Sequence, residues 1–203
     1  MDLFSLKGKK AIVTGGTRGL GYGMAEGLCR AGAEVAILGT SEKVRESADA
    51  LARTTGVVVH GIVGDLVREE EVPNIYKRLV ESLDGQADIL VNCAGVARPC
   101  PTLKLAEEVL DEVIDINMKA PLFCCQAVGA YMRQDGGGSI VNISSGNTRM
   151  INVGRVPYGI TKGAVNLLTE QLGAEWALYN IKVNAIAPGW IETGKGEHSE
   201  ADR

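Results

Sequence analysis

The sequence is poor in several features that would commit it to particular chemistries. It has only two histidines, His60 and His198, and neither follows a serine in a setting suited to a Ser-His-Asp triad, which disfavours a hydrolase of that kind. Its cysteines, Cys29, Cys93, Cys100, Cys124 and Cys125, are odd in number and lack the paired spacing of a zinc site or a disulfide framework. We read them as buried reduced thiols. The same shortage of metal ligands disfavours zinc-dependent alcohol oxidation. No apolar run is long enough to cross a bilayer. The opening Met1-Asp2-Leu3-Phe4-Ser5-Leu6-Lys7 has an acidic residue where an export signal needs a basic one. The negative net charge is spread along the chain rather than collected in runs, which argues against a nucleic-acid or membrane partner. These absences lead us to expect a soluble, cytoplasmic protein whose partners are small molecules.

What is present has the rhythm of an α/β fold. The length and apolar fraction suffice for one sizeable core, and no polar linker or repeat divides the chain, so we expect a single domain over residues 1–203. Short Val- and Ile-rich runs alternate with longer segments of helical period, the pattern of successive βαβ units. Strands are expected at Lys10–Thr14, Glu34–Leu38, Val57–Val63, Ile89–Asn92, Ser139–Ile143 and Lys182–Ile186. Helices are expected at Leu20–Ala31, Glu42–Thr54, Val72–Leu83, Ala106–Met132 with a kink at Pro121, and Tyr158–Leu178. The result is a Rossmann-type, doubly wound parallel sheet with helices on both faces.

After the first strand comes Thr14-Gly15-Gly16-Thr17-Arg18-Gly19-Leu20-Gly21, within which a helix begins. Glycines let such a turn approach a pyrophosphate, whose charge the helix amino terminus favours. Gly15, Thr17, Arg18, Gly19, Leu20 and Gly21 are therefore candidate cofactor contacts, with a plain structural turn as the competing reading. The end of the second strand, roughly 20 residues on, is where a carboxylate would hold the ribose of NAD. Here the chain reads Leu38-Gly39-Thr40-Ser41, with no carboxylate before Glu42. The missing acid and the nearby Arg18 suit a phosphorylated ribose and lean the expectation to NADP, with Thr40 and Ser41 beside it. A solvated surface charge is the other reading of Arg18.

Tyr158 and Lys162 are four residues apart, so on a helix they share a face. A phenol, with a pKa near ~10, needs a cation to act as acid or base near neutrality. A unit charge at ~4 Å with an effective dielectric of ~20 contributes roughly 4 kcal/mol, which is sufficient. Ser145, just past the strand Ser139–Ile143, stands where open α/β sheets bind ligands and its hydroxyl can polarise a substrate carbonyl; Ser144 competes for that role.

With these motifs in order, the chain resembles the short-chain dehydrogenase/reductase family. The likeness is carried by the Thr14–Gly21 turn, Asp65-Leu66, Asn92-Cys93-Ala94-Gly95, Asn117, the set of Ser145, Tyr158 and Lys162, and Pro188-Gly189. It implies hydride exchange between a nicotinamide cofactor and an alcohol or ketone, with Tyr158 as acid/base. It further implies that Asp65 and Leu66 lie against adenine and that Asn92, Ala94 and Gly95 line the cofactor cleft. By the same resemblance Tyr158 and Lys162 contact the nicotinamide ribose, Pro188 and Gly189 lie beside the cofactor, Asn117 positions a water in a proton relay, and Ile191 and Thr193 hold the carboxamide and pyrophosphate ends. Asp65 as a helix cap, Asn92 as a turn residue and Asn117 as a buried polar link stay open beside those roles. Phe4-Ser5-Leu6-Lys7-Gly8-Lys9, Arg155-Val156-Pro157 and Val183–Gly189 look most like the sugar-acid and polyol dehydrogenases of the 2-deoxy-D-gluconate 3-dehydrogenase and gluconate 5-dehydrogenase type, though ketoacyl-carrier-protein reductases share most of these segments. Arg155 pairs with a substrate carboxylate or is a solvated cation.

Cys93 replaces the second Asn of the commonest Asn-Asn-Ala-Gly form, and the chain reaches Arg203 without the seventh strand and substrate-covering segment usual after Pro-Gly. The sixth strand is then an edge, and the usual carboxyl-terminal interface of a homo-oligomer is missing. Two readings follow: an oxidoreductase on small carbonyl substrates, or a truncated, weakly active NADP-binding protein acting through cofactor occupancy or a partner.

Overall fold

The computed structural model describes residues 3–68 and 70–193. Six strands form one sheet: β1 (Lys10–Thr14), β2 (Glu34–Gly39), β3 (Val59–Val63), β4 (Ile89–Asn92), β5 (Gly138–Ile143) and β6 (Ile181–Ile186). All neighbours are parallel, in the order β3-β2-β1-β4-β5-β6. Parallel strands covered on both faces read as continuous apolar runs, and β1 does so: Ala11, Ile12 and Val13 are fully buried.

Helices α1 (Gly19–Arg30) and α2 (Lys43–Thr55) enclose one apolar cluster with Val13, Val35, Ile37 and Leu51. On the other face α3 (Val72–Glu81), α5 (Ala120–Gln134) and α6 (Val156–Trp176) enclose a second with Ile12, Leu79, Leu90, Val128 and Ile140. Burying each such Val, Leu or Ile is worth about 1.5–3 kcal/mol. At β6 the alternation turns outward: Ile181 and Val183 are buried, while Lys182, Asn184 and Ile186 are exposed. Among the described residues β6 is an edge strand.

The helix expected to run through Ala106–Met132 is divided. α4 (Glu107–Ile114) passes into a five-residue π turn, Asp115–Lys119, before α5. Pro121 has no N–H, and the α-helical acceptor it cannot serve is the carbonyl of Asn117. The chain widens there, with the Ala120 N–H donating to the Asp115 carbonyl. Other boundaries lie within two residues of expectation, and α6 gains Val156 and Pro157 at its first turn.

The strand order reverses between β1 and β4. Loops leaving their carboxyl ends diverge to opposite faces, which opens the crevice where ligands bind in such sheets.

Candidate active site

A cleft of about 700 Å³ occupies that crevice. At one end lies the turn from β1 into α1. Gly15, at φ +68°, packs so closely on the chain after β4 that a Cβ would stand 2.9 Å from Ala94 Cα. Gly19, at φ +59°, opens α1 with free space where its side chain would be. No side chain caps α1, so its first N–H groups are left for an anion. The Thr14 hydroxyl ties the two loops together, accepting from the N–H groups of Cys93 and Ala94 at 3.0 and 3.1 Å. Residues Gly15, Thr17, Arg18, Gly19, Leu20, Gly21, Thr40, Ser41, Asp65, Leu66, Ala94, Gly95, Pro188, Gly189 and Thr193 all line the cleft. Such a cradle, closed to a side chain at Gly15, open above Gly19 and lacking a cap, fits a dinucleotide phosphate.

At the other end the cleft is lined by Ser145, Tyr158 and Lys162. Ser145 begins a short 3₁₀ turn, and its Oγ accepts from the Asn147 N–H at 3.1 Å. That bond leaves the hydroxyl proton free to be donated. Ser144 is spent differently: it is buried, and its Oγ donates to the Lys162 carbonyl at 3.3 Å. Lys162 is 5% exposed, and burial pushes its ammonium down to about 8, with nearby Cys93 opposing the shift. The ammonium donates to the Ile143 carbonyl at 2.7 Å and lies 5.7 Å from the centre of the Tyr158 ring.

Three expected contacts lie elsewhere. Asn92 does not line the cleft. Its strand position turns the amide into the core, where Nδ2 donates to Asn142 Oδ1 at 2.9 Å and Cys125 Sγ at 3.2 Å, while its Oδ1 has no protein partner. Asn117 is fully buried in the π turn; its Oδ1 accepts from the Val96 N–H and its Nδ2 donates to the Val96 carbonyl, both at 2.8 Å, and to Thr161 Oγ1 at 3.3 Å. Its side chain therefore pins the loop after β4 to α6. Ile191 lines an adjoining cavity beyond the phosphate turn rather than the cleft. Asp65 lines the cleft and also accepts from the Val67 N–H at 3.1 Å, as a turn cap does. Arg155 precedes α6 with its guanidinium 5.4 Å from the centre of the Trp190 ring.

Sequence reasoning passed over Lys43, Cys93, Val96 and Ile116, which line the cleft as well. Lys43 carried a usable signal, standing at the first turn of a helix that follows a strand's carboxyl end. Among the described residues no group of three or more potential ligands could hold a metal, and no helix is long and apolar enough to cross a membrane.

Comparison with known proteins agrees with this geometry. The family model for short chain dehydrogenases matches residues 9–203. A gluconate 5-dehydrogenase of Gluconobacter oxydans is 35% identical over 201 residues, covering 99% of this chain and 78% of that protein. The structure of a gluconate 5-dehydrogenase from Burkholderia cenocepacia, in complex with NADP and tartrate, superposes with a TM-score of 0.87 at 33% identity over 98% of this chain and 79% of that one. L-sorbose reductase from Gluconobacter frateurii, complexed with NADPH and L-sorbose, gives 0.90 at 30% identity over 95% and 73%. The chain belongs to the short-chain dehydrogenase/reductase family and is an oxidoreductase acting on CH–OH groups with NAD(P) as acceptor.

Proposed function

We propose that this protein interconverts a secondary alcohol and a ketone of the sugar-acid or polyol class, uses NADP in preference to NAD, and works in the cytoplasm as a single domain. One observation carries the reading: Ser145, Tyr158 and Lys162 converge at one end of the cleft whose other end is the uncapped amino terminus of α1. The nicotinamide, when bound, supplies the hydride exchange. Tyr158 holds the proton that leaves or returns to the substrate oxygen. Ser145 donates its hydroxyl proton to that oxygen and fixes its position. Lys162, held by the Ile143 carbonyl, places a positive charge at the same end of the cleft as the phenol. The Asn117 carbonyl, freed by Pro121, offers an acceptor to a water that reconnects Lys162 to solvent.

The coenzyme preference is supported by Arg18 beside Thr40 and Ser41, and by the NADP and NADPH bound in the two structures named above. Free thiols at all five cysteines suit a reducing compartment.

The test is Tyr158→Phe, assayed with NADP against a panel of sugar acids and polyols. Turnover should vanish while coenzyme affinity, read by fluorescence, stays within about threefold; retained turnover would sink the assignment. Coenzyme binding by the unmodified protein, with no oxidation of any alcohol in the panel, would favour the cofactor-occupancy reading instead.

A further inference from the structure

Helix α6 buries three polar side chains, Thr161, Lys162 and Thr169, alongside Pro157, Val165 and Leu172. Apolar contacts are non-directional, so a seat made of so few of them tolerates a helix shifted along its groove. Hydrogen bonds single out one position. Lys162 reaches the Ile143 carbonyl, and Thr161 meets the side chain of Asn117. Thr169, two turns beyond Lys162, meets the residue of β5 just before Ile143: its Oγ1 accepts from Asn142 Nδ2 at 3.0 Å.

That bond belongs to a chain of buried groups that crosses the sheet. Asn92 and Asn142 are register partners at the end of β4 and β5, and Asn92 Nδ2 donates to Asn142 Oδ1 at 2.9 Å. Asn142 then donates to Thr169, and the Thr169 hydroxyl donates to the Val165 carbonyl at 2.7 Å. Asn142 is fully buried, and Asn92 and Thr169 nearly so. Asn142 and Thr169 each accept on one side and donate on the other, so the direction and spacing of the chain are fixed. Buried polar groups add little net stability but can specify a register. Here the register concerns the end of β5, because Ile143 and Ser144 follow Asn142 directly and both bond to Lys162.

We infer that Thr169 is a positioning residue: through Asn142 it fixes where α6 lies along β5, and so where Lys162 and Tyr158 stand in the cleft. The inference rests on those two residues acting in turnover as proposed above.

Three variants of the full-length protein test it. Thr169→Val keeps the shape of the side chain but leaves Asn142 Nδ2 buried without an acceptor, whereas Thr169→Ser keeps the hydroxyl. Asn142→Leu with Thr169→Val removes both partners, while Asn92 keeps its bond to Cys125. Each is compared with the unmodified protein by denaturant midpoint, by turnover, and by side-chain NMR of the Lys162 ammonium without coenzyme. In the unmodified protein that ammonium should titrate at about 8. Its bond to Ile143 favours the charged form, so a displaced α6 should lower the titration by about one unit. Tyr158 on α6 and Cys93 after β4, the titratable groups beside it, are unchanged in every variant. Thr169→Val and the double variant should both show this shift and about tenfold lower kcat, with coenzyme affinity within about threefold; Thr169→Ser should show neither. The double variant should regain the midpoint that Thr169→Val loses, since no polar group is left orphaned. A titration and kcat that recover together with the midpoint, or that Thr169→Val leaves unchanged, would overturn the inference. Comparing Thr169→Val with Thr169→Ser decides it even if the double variant does not fold. An unmodified protein that turns over no sugar acid or polyol would overturn the proposed function instead, and the Lys162 titration would still decide the role of Thr169.

Discussion

Lys162 is a costly residue to bury. Burial lowers its pKa from the ordinary 10.5 to about 8, so between those values the unfolded chain binds the proton that the folded chain has lost. Stability therefore rises with pH across that window, and the full cost, on the order of 3 kcal/mol, applies below pH 8. Lys162→Met should abolish turnover without lowering stability at pH 7, even though the Ile143 carbonyl loses its donor. Denaturant titrations from pH 7 to 10.5 would check this, since the variant should lack the rise shown by the unmodified protein. A variant that is less stable at pH 7 and keeps the same slope would contradict the assignment. Spacing showed that Tyr158 and Lys162 share a helical face; it could not show that the ammonium bonds to the Ile143 carbonyl at the end of β5, because that depends on how α6 lies across the sheet.

At the scale of elements, the π turn links two parts of the site. Pro121 unsettles the helix, the turn buries Asn117, and Asn117 satisfies both main-chain groups of Val96. Asn117→Ala would leave that peptide's N–H and carbonyl without partners. We expect a loss of about 3 kcal/mol, at 1–3 kcal/mol for each orphaned group, seen as a lower denaturant midpoint. Coenzyme affinity should fall with it, because Val96 follows the Ala94-Gly95 segment of the cleft. The proline was legible in the sequence as a kink. Its effect was not, since helical periodicity cannot tell a bend from an inserted residue in one turn.

Across the whole molecule, function and stability occupy opposite ends of the sheet. The cleft sits at the carboxyl ends of the strands. At their amino ends Lys10 bonds to Glu34 and, at 3.0 Å, to Asp84, while Glu34 also meets His60 at 2.8 Å. For Glu34, desolvation raises the carboxyl's pKa, but the bonds from Lys10 and His60 outweigh it and leave the group below its ordinary value. Its contribution is present above the ordinary carboxylate range and is lost as pH falls through the lowered value. Glu34→Gln should cost roughly 1 kcal/mol at pH 7 and leave turnover unchanged, which thermal melts and a standard assay would establish together. Ile140→Ala, in the middle of β5, should cost about 2–5 kcal/mol and weaken the entire fold. Local pattern alone determined the six strands and the order of helices, and it singled out Ser145, Tyr158 and Lys162 as candidates, because periodicity, glycine turns and residue spacing are properties of neighbours along the chain. Packing decided the rest. Asn92 turned into the core, Asn117 became a clamp, Ser144 was separated from Ser145, and Lys43 joined the cleft only when β2 and α2 were set beside the turn after β1, contacts that join segments distant along the chain.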